Sequence, residues 1–240
     1  MDLVKVILLG APGVGKTSII QQFVWNDFSD EYVSTSRKHT YYPSVIINDH
    51  LYELKISDLP AITYFPVNSY YEWTDFRFYG LRSATAYILV FDLSNVDTFQ
   101  YIRTLREQIA ESRDIRNVPL LVVGNKQDLL GTPNGSDPAD STAGAGNHPH
   151  TAGVLAVTGS NSVEKRRDIQ NLVKKHWKCG YVECSARYNW RVVAVFKELM
   201  KTVDSMEGGG GLSTQGYKEV CSPMIDNIHD ALDRNKCVIL

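Results

Sequence analysis

The chain is short of several things. No apolar run among its 240 residues approaches the ~20 needed to span a bilayer. The apolar stretch after Lys5 is ended by Gly10, too early for a secretory leader. Cysteine is scarce. Cys179, Cys184, Cys221 and Cys237 are irregularly spaced, which argues against a disulfide framework or a repeated metal-binding spacing and points to a reducing compartment. Neither sign of charge is in excess: 25 Lys and Arg face 27 Asp and Glu, a net −2, so no bulk field favours nucleic acid or an anionic surface and no nucleic-acid partner is expected. There is no internal repeat. With 43% hydrophobic and 22% charged residues, the chain has the material for one sizeable core.

Short apolar runs alternate with stretches of helical spacing. LVKVILLG (3–10), AYILVFD (86–92), VPLLVVG (118–124) and YVECSA (181–186) read as buried strands. YYPSVIIN (41–48) and LYELKIS (51–57) flank Asp49 and His50, the place for a hairpin turn. Residues 16–25, 97–113 and 188–206 carry apolar residues at helical spacing, such as Ile19, Ile20 and Phe23, or Val192, Val195, Phe196 and Leu199. Strands apolar on both faces and separated by helices predict an α/β domain over 1–206, with a mainly parallel six-stranded sheet covered by helices on both faces. Residues 131–162, rich in Gly, Ser, Thr, Pro and Ala, read as a disordered insertion. EGGGGLS (207–213) opens a flexible tail, 207–240.

GAPGVGKT (10–17) joins the first strand to the first helix. Gly10, Gly13, Val14 and Gly15 let successive backbone N–H groups wrap an anion, and the helix N-terminus adds the positive end of its dipole. Lys16 can reach terminal phosphates, the Thr17 hydroxyl can ligate Mg2+, and Ser18 follows in the first turn. NKQD (125–128) follows a strand, so Asn125 and Asp128, with Lys126 between them, can face one ligand at its C-terminal edge. The Asp128 carboxylate can accept two N–H bonds from guanine, a pair adenine cannot supply. CSAR (184–187) follows the next strand and brings Ser185, Ala186 and Arg187, with the Ala186 N–H set to read the guanine carbonyl. Together the three motifs favour GTP or GDP over ATP.

These motifs resemble those of Ras-superfamily small GTPases over residues 3–204, the insertion apart. FPVNSYYEW, GLRSATAYILVFD and WKCGYVECSARYNW are most similar to the divergent Ras-like family ten. The resemblance implies a P-loop NTPase-type three-layer domain working as a monomeric GTP-binding signalling switch. Its cofactors would be GTP/GDP and Mg2+, and effector and regulator proteins would bind through switch loops 26–38 and 58–76. It sets Phe28 against the guanine, Thr17 on Mg2+, Thr35 on the same ion when a γ-phosphate is present, and Asp58 holding it through water. Trp177 and Trp190 read as packing residues, Trp73 as either packing or a partner contact.

One segment departs from the family pattern. After Asp58 the superfamily has Thr-Ala-Gly-Gln; here stand Leu59, Pro60, Ala61 and Ile62. The glutamine orients the attacking water, and Ile62 has neither donor nor acceptor. Ala61 keeps its N–H but resists positive φ, and Pro60 stiffens the turn. Pro12 stands where the family usually has glycine, beside the γ-phosphate. No catalytic residue is assigned, with Tyr64 or Asn68 open as a substitute water guide. Two readings follow: a switch with slow intrinsic hydrolysis, or an essentially non-hydrolysing GTP-binding module that scaffolds partners. A P-loop ATPase is a third reading. A nucleotide-indifferent interaction protein is a fourth, and the intact Gly-Lys-Thr and NKQD motifs argue against it.

CVIL (237–240) fits the C-a-a-X pattern, and its leucine favours geranylgeranylation of Cys237. One prenyl group anchors only reversibly. The tail has three cations, Lys218, Arg234 and Lys236, against five acids, so the second signal falls to palmitoylation of Cys221. The expected location is the cytoplasmic face of membranes, the plasma membrane first. Met224, Ile225, Ile228 and Leu232 would line one face of a tail helix that docks on a protein.

Overall fold

The computed structural model describes residues 3–47, 50–67, 70–113, 118–130, 155–207 and 238–239. In chain order the elements are β1 (Leu3–Leu9), α1 (Lys16–Trp25), β2 (His39–Tyr41), β3 (Ser44–Ile47), β4 (His50–Asp58), α2 (Tyr70–Asp75), β5 (Ala86–Asp92), α3 (Asp97–Ser112), β6 (Leu120–Asn125), α4 (Leu155–Asn171), β7 (Gly180–Glu183), α5 (Val192–Glu207) and β8 (Val238–Ile239). The sheet runs β7-β6-β5-β1-β4-β3-β8, with β2 also on β4. From β4 to β7 along that order every pairing is parallel, while β2 and β3 run antiparallel to β4.

The mainly parallel α/β sheet is as expected, but it has eight strands where the sequence predicts six. The run 41–48 is divided because Pro43 has no N–H for a ladder; its carbonyl still accepts from the Leu54 N–H at 3.0 Å. Val238 and Ile239 add a further strand on β3, opposite Ile46 and Val45.

Alternation along the central strands builds two cores. Val6 and Leu8 of β1, Ile88 and Val90 of β5 and Val123 of β6 face α1 and α5. Ile7, Leu9, Tyr87, Leu89, Phe91 and Val122 point to the other face, against α3 and the segment 59–65. Helices therefore cover both faces, and the loops at the C-terminal ends of the strands are left to build a site.

Two boundaries differ from the expected ones. The last long helix begins at Val192 and not at 188, because Ser185 and Trp190 close a backbone bridge and Asn189 and Arg191 sit at φ 52° and 56°, which a right-handed helix cannot contain. The insertion expected over 131–162 is shorter at its C-terminal end: α4 starts at Leu155. Ile169 and the following Val173 are buried in the second core, and extending a helix from an anchored turn is cheap once nucleation is met. Residues 131–154 and the tail 208–237, including Cys221, Cys237 and the expected tail helix, lie outside the described residues. Among the described residues no helix is long and apolar enough to cross a membrane.

Helix α1 carries the site's first turn, and its apolar face fixes it. Ile19, Ile20 and Phe23 are buried, and the Phe23 ring stacks on Phe196 of α5 with centroids 3.7 Å apart and planes 15° apart. Phe196→Ala is expected to lower the unfolding free energy by about 3–5 kcal/mol, read from urea denaturation.

Candidate functional site

A cleft of about 410 Å3 opens at the C-terminal ends of the parallel strands. It lies where the strand order reverses on either side of β1, the position at which open α/β sheets bind ligands. Of the expected binding residues, Gly13, Gly15, Lys16, Thr17, Ser18, Phe28, Asn125, Lys126, Asp128, Ala186 and Arg187 line it, as does Thr35. Gly10, Val14 and Ser185 do not; they hold its walls. A Cβ on Gly10 would sit 2.3 Å from the Val90 carbonyl oxygen, so only glycine lets β1 leave the sheet there. Val14 is buried with its carbonyl accepting from Asn125, and Ser185 Oγ donates to Asp128 Oδ1 at 2.5 Å.

The loop before α1 is shaped for an anion. Gly13 and Gly15 take φ 74° and 90°, and a Cβ on Gly15 would also strike Asn125 Nδ2 at 2.3 Å. Gly15 caps α1 without any side-chain hydrogen bond, so the helix presents its first amides to the cleft. Lys16 is buried, and its Nζ donates to the carbonyls of Gly10 at 2.9 Å and Ala11 at 3.1 Å. Burial lowers its pKa to about 8, partly opposed by the Asp58 carboxylate. An ammonium so desolvated is improved by any anion that reaches it.

Beside it lies a corner of oxygens. Thr17 Oγ1 donates to Asp58 Oδ2 at 2.6 Å and lies 3.1 Å from Thr35 Oγ1. Asp58 is fully buried and its Oδ1 has no hydrogen-bond partner among the described residues. Burial raises the Asp58 pKa, while the Thr17 hydrogen bond, Lys16 and His39 act the other way. These residues fit Mg2+. The donors are hard oxygens, and the orphaned carboxylate oxygen needs a cationic or hydrogen-bonding partner such as a metal-bound water.

At the other end Asn125 organises the base-side loops. It is 2% exposed; its Nδ2 donates to Val14 O at 3.0 Å and its Oδ1 accepts the Ala186 N–H at 3.1 Å. The Ala186 N–H, expected to read a guanine carbonyl, is therefore already taken, because a buried amide must find an acceptor and Asn125 supplies it. Cys184 Sγ also donates to Asn125 Oδ1, at 3.5 Å, and burial pushes this thiol up to about 12. Lys126 sits at φ 63° and its Nζ pairs with Asp92 Oδ2 at 2.8 Å. Asp92 is a site residue that sequence reasoning misses; its only signal is an acid ending the buried run AYILVFD. Arg187 pairs with Asp30 at 3.2 Å across the mouth, both exposed.

The segment after Asp58 is pegged into the core. Leu59, Ile62 and Phe65 are 0%, 3% and 1% exposed, and the Tyr101 hydroxyl donates to the Ile62 carbonyl. Ile62, which stands where the family has its water-orienting glutamine, is not in the lining of the cleft; from this segment Ala61 alone lines it among the described residues. Tyr64 packs edge-on against Phe76 and is no water guide here, and Asn68 lies outside the described residues. Trp73 packs on Phe65 with the Arg82 guanidinium over its ring, and Trp177 stacks on Phe99. Trp190, expected as a packing residue, is 42% exposed, since what its position requires is the backbone bridge to Ser185.

A glycine-built anion cradle at the switch point of a largely parallel sheet defines a P-loop NTPase-type α/β domain. The model of the Ras family matches residues 5–205, and the chain belongs to that family. Ras-like protein family member 10B of Homo sapiens is 38% identical over 238 residues, 98% of each chain. Ras-like protein family member 10A of Homo sapiens is 35% identical over 202 residues, 82% of this chain and 84% of its own. GTP-binding protein Di-Ras2 of Pongo abelii is 25% identical over 197 residues, 82% of this chain and 79% of its own. The likeness to Ras-like family ten read from the sequence therefore holds. Members of the Ras family are, in general, small GTPases that bind GTP or GDP with Mg2+.

Asn125→Ala strands the Val14 carbonyl and the Ala186 N–H in a buried place. It should cost about 2–4 kcal/mol in denaturant unfolding and speed the release of a fluorescent GDP analogue at least about tenfold.

Proposed function

We propose that the protein is a membrane-anchored signalling switch that binds GTP and GDP and hydrolyses GTP slowly. The observation that carries this is one cleft lined by Lys16, Thr17, Thr35 and Asp128, with Asp58 hydrogen-bonded behind Thr17, while Ile62, in the place of the water-guiding residue, is buried in the core. Gly13, Gly15, Lys16 and Ser18 hold the phosphates, Phe28 and the Lys126 stem bracket the base, and Asp128, oriented by Ser185, reads its N–H edge. Ala186 and Arg187 shape that pocket. Thr17, Thr35 and Asp58 would hold Mg2+, which supplies charge neutralisation at the phosphate oxygens.

Hydrolysis then lacks a side chain that orients water. Ile62 has no polar atom and is turned inward, and Pro12 crowds the side from which a partner's arginine would enter, a contribution worth roughly 10³–10⁵ in rate. Effector and regulator proteins bind through loops 26–38 and 58–76. Geranylgeranylation at Cys237, with palmitoylation at Cys221, holds a monomeric protein at the cytoplasmic face of the plasma membrane; the CVIL sequence supports this part. Ile62 keeps a second reading in view, a scaffold that holds GTP with essentially no turnover.

Two measurements test the proposal. Asp128→Asn replaces an acceptor by a donor facing the base edge. It should weaken GDP at least about 100-fold in competition and favour a xanthine nucleotide; unchanged guanine preference removes the base assignment. Single-turnover hydrolysis should run at least about tenfold below the ~3–5 × 10⁻⁴ s⁻¹ of intrinsic Ras turnover. A rate equal to that value refutes slow hydrolysis, and none over many hours favours the scaffold.

A further inference from the structure

We infer that β3 binds the chain's own CVIL segment, and that this self-docking withholds Cys237 from lipid modification until the segment is released. The inference rests on the C-a-a-X reading of CVIL and adds to it a control over when the modification occurs. Val238 and Ile239, the aliphatic residues of that motif, form β8, which pairs antiparallel with β3 at the border of the sheet: Ile46 stands opposite Val238 and Val45 opposite Ile239. The bonding of β3 fits this arrangement. The Pro43 carbonyl accepts from Leu54 of β4, so by antiparallel alternation Val45 turns its N–H and C=O to Tyr52 of β4, while Ile46 turns both outward, to Val238. Without β8 those Ile46 groups would be left at an open edge.

The way back to β3 is short. The last turns of α5 lie against the same hairpin: the Tyr52 hydroxyl donates to Asp204 Oδ2 at 2.7 Å, and Tyr52 is the residue opposite Val45. The segment 208–237 therefore starts near the hairpin and ends on it. Closing a connection of that length costs little more than closing a shorter one, and the tether keeps CVIL at a high local concentration. Two residue pairs make a weak strand, one that holds when tethered and yields to a competitor. A modifying enzyme is such a competitor, since it must take Cys237 and the residues after it into its own pocket. There the Cys237 sulfur bonds to C1 of an isoprenoid diphosphate, diphosphate leaves and the thiol proton is released. The backbone of Val238 and Ile239 cannot lie in the β3 ladder and in that pocket at once. Docking thus lowers the fraction of chains open to the enzyme and with it the enzyme's apparent affinity, but not the rate of the transfer once bound.

The test uses the full chain with a purified protein geranylgeranyltransferase and geranylgeranyl diphosphate. Ile46→Pro removes the N–H that reaches β8 and none that reaches β4. It should lower the transferase KM for the chain at least about threefold with kcat unchanged, and leave GDP affinity unchanged, since β3 does not line the cleft. If that variant fails to bind GDP, Ile46→Gly, which weakens the strand but keeps its bonds, replaces it in the same comparison and should shift KM the same way. Val238→Pro alters the tail alone. It should speed exchange of the Ile46 amide at least about tenfold and leave the Val45 amide protected. Equal exchange of the Ile46 amide in the two chains overturns the docking, and protection that grows with protein concentration assigns the strand to a second copy and overturns it too. An unchanged KM in the folded β3 variant overturns the withholding. No lipid transfer to the wild-type chain, the variants or a peptide of residues 229–240 refutes the C-a-a-X reading itself, whereas transfer with an unchanged KM refutes only the inference.

Discussion

The buried side chain of Asn125 is the tie on which the cleft depends. The phosphate loop follows β1 and the two base-side loops follow β6 and β7, so the walls come from segments far apart in sequence. One amide joins them: its Nδ2 holds the Val14 carbonyl and its Oδ1 holds the Ala186 N–H. Both partners are buried, so neither bond can be exchanged for water, and each sets the position of the other. Gly15 must be glycine partly for the same reason, because a Cβ there would occupy the space the amide needs. A ligand spanning from Lys16 to Asp128 therefore meets a site whose two ends are already held in register. The relation also runs backwards, since a bound nucleotide would reinforce the same tie and stabilise the fold as it is held.

The segment after Asp58 departs from the superfamily pattern in its packing as well as in its residues. A polar side chain at 62 has reason to stay at the cleft; isoleucine gains by leaving it. Its burial with Leu59 and Phe65 against Tyr87 and Leu89 extends the second core beneath the switch segment, and the Tyr101 hydroxyl satisfies its carbonyl. That anchoring ties the residues just after Asp58 to the sheet.

Much of this is legible in the sequence because the signals are local. A β1–loop–α1 unit with Gly, Lys and Thr at fixed spacing dictates its own backbone; Asp58 ends an apolar run and Asp128 lies in the turn just after another, and the direction of both runs follows from parallel pairing. What is not legible depends on distant partners. Nothing in NKQD says that Asn125 will occupy the Ala186 N–H, or that Lys126 will lean on Asp92. The inward turn of Ile62 depends on the far face of the sheet. Helix α4 is hidden by the Gly- and Ser-rich run before it, and it rests on Ile169 and Val173 meeting the core. Pro43 is visible as a strand-breaker, but it shows only that the run must divide and not that both halves stay on β4.

Lys38 lies between the cleft and the turn Arg77–Tyr79. It lies three residues beyond Thr35, whose hydroxyl sits in the oxygen corner, and its ammonium ties the turn 77–79 through two carbonyls. Three extended residues span only about 10 Å, so Lys38 stays within that reach of Thr35. If a ligand drew Thr35 inward, β2 and the turn that Lys38 holds would be the nearest elements in its path. Coupling of this kind needs no relay through the core. It requires that the corner prefer one placement of Thr35 when filled and another when not, so that the shape offered to a partner follows the occupant of the cleft.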